Sequence, residues 1–270
     1  MTITSFANQK VKRIRSLEHK KYRKETGVFF IEGLRTVGEA VQTGAAIEAL
    51  VIAPGLLVSE FGRGLLDHSN VRDVSRIEVS EEIFEKIAQK QGSQGIGAVV
   101  QQEWHRLDEI QVTRQDLWVA LDAVADPGNL GTILRTADAV GCRGLILLGH
   151  ATDPYNPTAA KASMGAIFSQ TLVQVEWKAF QKWQMKHNFA MVGTSDSAKM
   201  DYQKKDYKRP LILLMGSERH GLSEDMQTAC DHMVQIPMRG RSDSLNLAAA
   251  TAVMLYEIFN QSRNLEEKQP

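Results

Sequence analysis

The chain has 270 residues, 43% of them hydrophobic and 24% charged, with 32 basic residues balanced by 32 acidic ones to a formal net charge of zero. A protein of that length buries about 75% of the surface its unfolded chain exposes and divides into two domains, and neutrality excludes a global field that would gather polyanions. Cys142 and Cys230 are the only cysteines and no apolar run is long enough to span a bilayer, so a disulfide framework is excluded and a reducing, cytoplasmic setting is expected.

The amino-terminal segment departs from that balance. Lys10, Lys12, Arg13, Arg15, Lys20, Lys21, Arg23 and Lys24 are opposed only by Glu18, while Val11, Ile14 and Leu17 make a narrow apolar stripe. The pattern predicts a basic amphipathic helix over 10–24, and a one-sign block in a neutral protein points to nucleic acid as the partner. From 28 to 101, apolar runs at 28–31, 47–53, 71–74 and 96–100 predict strands, and helical periods occupy 34–42, 56–66 and 81–88. Such alternation predicts a small α/β domain. Its glycine- and glutamine-rich loop, 90–97, is expected to be mobile or to face a ligand, and the domain offers no acid, base or nucleophile constellation, so binding is its expected role. The polar stretch 102–116 reads as a linker.

The second domain opens with a strand at 117–123, the turn formers Asp126, Pro127, Gly128 and Asn129, and a helix at 130–140. A strand feeding a glycine turn and a helix often builds a phosphate or cofactor site, but Gly128 and Gly131 lack the GxGxxG spacing of dinucleotide folds. Arg135 lies within two turns of Asn129 and can aim its planar fork at a phosphate. Strands follow at 144–148, 172–175, 190–193 and 211–215, with a small-residue helix at 156–166 and a mixed-sign solvated loop at 199–209. The strand ending at Met215 leads into Gly216 and Glu218, a carboxylate between glycines that does not read as core, whereas His220 reads as an ordinary exposed imidazole. Cys230 and His232 are too few to hold a metal, and none is expected.

Val234, Ile236 and Met238 read as the end of a last strand, followed by the turn Arg239, Gly240, Arg241 and a long apolar helix. Leu247, Ala250, Thr251, Met254, Leu255 and Ile258 recur at helical spacing, with Ser242, Asp243 or Ser244 as cap and Asn246 in the first turn, where free N–H groups favour polar ligands. Three polar turns, around Asn129, Glu218 and the Ser244/Asn246 pair, thus stand at carboxyl ends of buried strands, the edge where open α/β sheets bind ligands.

The segments DPGNLGTILRTADAVG, LLMGSERHGLS and IPMRGRSDSLNLAAATAVMLYE closely resemble the three ordered motifs of the SpoU/TrmH methyltransferases of the SPOUT superfamily. NQKVKRIRSLEHKKYRKETGVFFIEGLRTVGEA, within 5–40, resembles the opening of members that carry a ribosomal-protein-like RNA-binding module. The resemblance implies a substrate-binding domain over 1–105 and a methyltransferase domain over 106–270, an α/β fold with a deep carboxyl-terminal trefoil knot. It further implies a homodimer that binds S-adenosylmethionine and methylates a ribose 2'-hydroxyl. Ribosomal RNA is the expected substrate, 23S above all, with transfer RNA as the alternative. Gly216, Ile236, Met238 and Leu245 fall on its cofactor positions, and Asn129, Arg135, Glu218, Ser244 and Asn246 on its polar active-site positions.

Arg219 and His220 are a departure from the resemblance, since many members have a glycine and a variable residue after the motif glutamate. The resemblance gives Arg135 the base role. A guanidinium with a pKa above about 12 accepts protons reluctantly, so either phosphate assistance or a purely clamping role follows for it. Two other classes compete: a nonenzymatic RNA-binding protein on the same scaffold, which the intact polar set opposes, and an adenine-nucleotide enzyme, which the basic segment opposes.

Overall fold

A computed structural model of the chain describes residues 1–88 and 91–266; Lys90, at the head of the glycine- and glutamine-rich loop, lies outside them. In chain order the elements are α1 (Gln9–Ser16), α2 (Lys20–Thr26), β1 (Val28–Glu32), α3 (Leu34–Gln42), β2 (Ile47–Ile52), α4 (Glu60–Leu66), β3 (Ser75–Glu78), α5 (Glu81–Ala88) and β4 (Ile96–Gln101). There follow β5 (Leu117–Asp122), α6 (Pro127–Ala139), β6 (Gly144–Leu148), α7 (Pro157–Ala162), β7 (Thr171–Val175), α8 (Trp177–Lys186), β8 (Ala190–Thr194), β9 (Met200–Asp201), β10 (Leu211–Met215), α9 (Glu224–Ala229), β11 (His232–Gln235) and α10 (Leu247–Glu266). They group into two compact units, Met1–Glu103 with Asp153–Ser169, and Trp104–Thr152 with Gln170–Pro270.

The first unit holds a four-stranded sheet in the order β1-β4-β2-β3, with β4 antiparallel to both neighbours and β3 parallel to β2. Two expectations are corrected here. The basic stretch forms two helices rather than one, because Leu17 turns into the core at 1% exposure and His19 is extended at the start of α2. The strand expected at 71–74 is a 3₁₀ turn at Ser69–Val71, and the strand is β3. Val71 and Val74 are spaced like a helical turn, whereas buried Ile77 and Val79 carry the alternation of a strand.

The segment 153–169, which follows β6 in sequence, belongs to this unit. Arg23 holds it: Nε and Nη2 donate to Asp153 Oδ2 at 2.9 and 2.7 Å, and Nη1 donates to the carbonyls of Leu17 and Glu18 at 2.8 and 2.7 Å. The Tyr155 hydroxyl donates to the Glu103 carbonyl at 2.6 Å, and its ring packs 4.7 Å from that of Phe29. The guanidinium therefore spends its donors inside the unit, on a carboxylate and two carbonyls, and this satisfies an otherwise costly buried charge.

The second unit is built on a seven-stranded sheet, β7-β6-β5-β10-β8-β11-β9, whose neighbours all pair in parallel. The strands β6 and β10 are buried along their whole length, the unbroken apolar runs expected when helices cover both faces. On one face α6 packs against β6 and α10, and α10 also against β10. On the other, Trp118, Ile146, Ile212 and Leu214 meet Phe180 and Trp183 of α8, a helix not anticipated from the sequence. The stretch expected to be a solvated loop at 199–209 supplies the edge strand β9 and buries Tyr207. From β5 the chain winds outward through β6 to β7 and then to the far side for β8, β10 and β11, so strand order reverses between β5 and β10. The carboxyl ends of those two strands flank the crevice where such sheets take ligands.

Arg23→Ala would leave Asp153 buried without its partner, and an expected destabilisation of about 3–5 kcal/mol follows. Lys12→Ala, on the exposed face of α1, is expected to stay within roughly 0.5 kcal/mol. Urea unfolding of the full chain measures both.

Candidate active site at the sheet edge

The helix α6 starts three residues earlier than its apolar periodicity implies. Asp126 caps it, accepting the Asn129 N–H at 2.7 Å, and Pro127 occupies the first helical position, where its missing N–H has no consequence. Asn129 consequently sits in the first turn of the helix, not in a preceding loop. The backbone reaches this point from β5 through Ala123, held at φ +48°, a left-handed conformation uncommon outside glycine and characteristic of constrained sites.

The loop after β10 is closed on itself. Ser217 and Gly221 exchange N–H···O bonds of 3.2 and 3.0 Å, Gly221 takes φ +64°, and a Cβ on Gly216 would stand 2.2 Å from the Gly221 carbonyl carbon. Only glycine at 216 lets the two limbs approach so closely. The closure delivers Glu218 to the start of α6. Its Oε1 accepts from Asn129 Nδ2 at 3.1 Å and the Asp126 N–H at 3.4 Å, and its Oε2 from the Ala125 N–H at 3.2 Å. Desolvation pushes this carboxyl up, but hydrogen bonds from its own backbone, Asn129, Ala125 and Asp126 outweigh that and hold it below the usual glutamate range.

The third loop, 236–246, ends differently from expectation. Asn246 is itself the cap of α10: its Oδ1 accepts from the N–H groups of Ala248 and Ala249 at 2.9 and 3.2 Å, while Ser242, Asp243 and Ser244 lie outside the helix. Its Nδ2 donates to Asn129 Oδ1 at 2.9 Å. These bonds fix both amide orientations. Because Asn246 must turn its oxygen to the helix, it offers nitrogen to Asn129, which must then accept there and donate to Glu218.

One directed chain, Asn246 to Asn129 to Glu218, thus brings together three of the five polar residues expected at the site. The other two lie on the same elements with their side chains exposed: Arg135 two turns along α6, and Ser244 two residues before the cap. Ile236 and Met238 are not strand residues, since β11 ends at Gln235. Ile236 is half-buried, while Met238 and Leu245 stand 39% and 38% exposed, large apolar side chains outside any core. Among the described residues, 236–245 makes no backbone-to-backbone hydrogen bond, so its polar groups are open to a ligand.

In the first unit, Lys10, Lys12, Arg15, Lys20, Lys21 and Lys24 are exposed, whereas Arg13 forms a two-point pair with Glu48. Arg23, expected to face RNA, is 1% exposed and turned inward, so it presents nothing to a ligand. Among the described residues, no group of three or more His, Cys, Asp and Glu is placed to hold a metal ion.

With that geometry in hand, the similarity to known proteins is decisive. A family model described as the SpoU rRNA Methylase family matches residues 116–256. The chain belongs to that family. A second model, an MRM3-like substrate binding domain, matches residues 8–98. A 23S rRNA (uridine(2479)-2'-O)-methyltransferase of Streptomyces viridochromogenes is 34% identical over 91% of this chain and 87% of its own. A 23S rRNA (guanosine(2553)-2'-O)-methyltransferase of Bacillus subtilis is 29% identical over 95% and 98%. The crystal structure of an AdoMet-bound rRNA methyltransferase from Sinorhizobium meliloti superposes with a TM-score of 0.88 at 37% identity, covering 98% of both chains.

Family motifs led to the side chains but not to Asp126, whose cap sets Asn129, nor to the backbone donors of Ala125 and Asp126 that hold Glu218. The sequence signal for Asp126 was present: an aspartate directly before proline at a helix start.

A carboxylate whose folded pKa is depressed contributes stability above its unfolded value, and the contribution is lost as pH falls through the folded pKa. The melting-temperature gap between wild type and Glu218→Gln is therefore expected to be widest above the ordinary glutamate value of 4.5 and to close below it. A pH series of thermal melts checks this; a gap that widens on acidification contradicts it.

Proposed function

We infer that the chain is an S-adenosylmethionine-dependent RNA methyltransferase that modifies a ribose 2'-hydroxyl, with 23S ribosomal RNA as substrate. The observation that carries the reading is the hydrogen-bonded chain Asn246–Asn129–Glu218, which joins the three family motifs at one sheet edge beside exposed Met238 and Leu245.

The residues present fit the cofactor. Open backbone groups over 236–245 suit an adenine and ribose edge, and Ile236, Met238 and Leu245 offer an apolar face, while Gly216, whose Cβ position is filled by the Gly221 backbone, contributes main-chain groups at the end of β10. Bound there, S-adenosylmethionine supplies an activated methyl on its sulfonium. What remains for the protein is to hold one ribose hydroxyl in line and relieve it of its proton, and orientation of this kind is worth up to roughly 7–11 kcal/mol.

Glu218 is a poor base, because its carboxylate is held below the usual range by four sets of donors. It acts as the anchor for Asn129 and Asn246. Ser244, exposed ahead of the cap, offers a hydroxyl that can donate to or accept from the sugar. Arg135 grips the target phosphate or, with phosphate assistance, takes the proton.

The first unit, through Lys10, Lys12, Arg15, Lys20, Lys21 and Lys24, holds folded RNA by phosphate and shape contacts; Arg13 takes part only if Glu48 releases it. The assembly is a homodimer with α6 and α10 contributing apolar surface, the return of 236–246 from β11 toward α6 belongs to a threaded trefoil knot, and the protein works in the cytoplasm. Among the described residues no helix is long and apolar enough to cross a membrane.

Incubation with labelled S-adenosylmethionine and unmethylated 23S rRNA transcript is expected to place label on a ribose 2'-oxygen. Arg135→Ala is expected to cut turnover about 10²-fold or more, with calorimetric cofactor affinity retained. Unimpaired methylation by Arg135→Ala removes both roles assigned to it.

A further inference from the structure

We propose that Arg219, Arg239 and Arg241 form a phosphate-gripping rim around the methyl-transfer site, so that the methyltransferase unit itself supplies a sequence-independent share of RNA affinity. The proposal rests on the reading of the chain as an RNA methyltransferase and goes beyond it in naming which cations meet the RNA backbone.

The loop 217–221 divides its residues between two directions. Its closure by Ser217 and Gly221, reinforced by the His220 N–H on Ser217 Oγ at 3.3 Å, commits Glu218 to Asn129 and the start of α6. Arg219 and His220 are left exposed at the tip. Arg219 is therefore tied, one peptide away, to a side chain that accepts from Ala125, Asp126 and Asn129. On the neighbouring loop, Arg239 and Arg241 are exposed on either side of Gly240, around which a Cβ would meet nothing within 4 Å. That loop closes five residues later on Asn246, so its cations are leashed to the same hydrogen-bonded chain.

Charge accounting on these loops is one-sided. Of the carboxylates there, Glu218 is engaged and Asp243 alone remains to oppose three arginines. None of the three forms an ion pair with a described residue. At the amino terminus two of the three arginines are already matched, Arg13 by Glu48 and Arg23 by Asp153, and Lys21 lies 3.9 Å from Glu25, while Arg15 and the other lysines stay exposed. In a chain of zero net charge, uncompensated arginines concentrated on two loops that bracket a ribose site mark a surface for polyanion. A guanidinium presents a fork matched to phosphate oxygens, and every ribose in an RNA strand lies between phosphates.

The test uses full-length protein and an in vitro 23S rRNA transcript, with affinity measured against salt concentration. Each of Arg219→Gln, Arg239→Gln and Arg241→Gln is expected to lower the magnitude of the slope of log K against log salt by about 0.7–0.9, and the triple variant by about 2–3. A transcript of scrambled sequence should show the same reductions, because phosphate contacts carry no base information. Calorimetric S-adenosylmethionine affinity within twofold of wild type certifies that the triple variant is folded; should it be lost, the three single variants decide by the same slope. An unchanged slope in folded variants overturns the rim while leaving the methyltransferase reading intact, provided wild type methylates the transcript. Failure of wild type to bind or methylate it overturns the parent reading, and the rim with it.

Discussion

The site depends on one asparagine side chain. Asn129 accepts from Asn246, 117 residues away in sequence, and donates to Glu218, 89 residues away, so a single planar amide fixes the mutual position of three loops. Reversal of that amide would set oxygen against carboxylate and nitrogen against nitrogen, two losses at once. Its orientation is in turn dictated by the helix α10, whose unsatisfied first N–H groups claim the Asn246 oxygen. Backbone geometry at one helix end thereby propagates through Asn129 to the loop that follows β10. β11 stands three strands from β5, roughly 14 Å at normal strand spacing, and the segment 236–246 must return across that distance before Asn246 can bond.

The chemistry follows from rigidity more than from tuned acidity. A carboxylate pulled below its usual range is a weak proton acceptor, and Glu218 is therefore better understood as a fastening for Asn129 and the start of α6. The half-buried carboxyl of Asp122, at the end of β5, is shifted the other way by desolvation. On the proposed reading, with the methyl already activated on its donor, hydrogen bonds that hold the loops together with exposed Arg135 and Ser244 are what the site offers to align a hydroxyl.

Much of the scaffold was legible because parallel strands covered on both faces leave continuous apolar runs, as at 117–121 and 211–215, each followed by turn chemistry. The three polar turns could be recognised for the same reason. What escaped was set by distance or by competition. Arg23 looked like its neighbours Lys20, Lys21 and Lys24, and nothing local reveals that its partner lies 130 residues further on. Asn246 outcompeted Ser244 as cap because its amide also has a partner in Asn129, a tertiary preference invisible to local propensity. The break between α1 and α2 arose because Leu17 entered the core, which the continuous run of positive charge concealed.

The excursion of 153–169 carries an implication for how the polypeptide is made. Asp153 and Tyr155 are absent from a nascent chain that has emerged only through β4, so Arg23 has no carboxylate to meet until the ribosome has also delivered β5, α6 and β6. Completion of the amino-terminal body thus waits on synthesis of part of its successor. Any cut in the gene at 103/104 yields a fragment with an unmatched buried cation and an uncovered Phe29, and the same cut leaves the remaining piece with a seventeen-residue loop that has lost its anchorage.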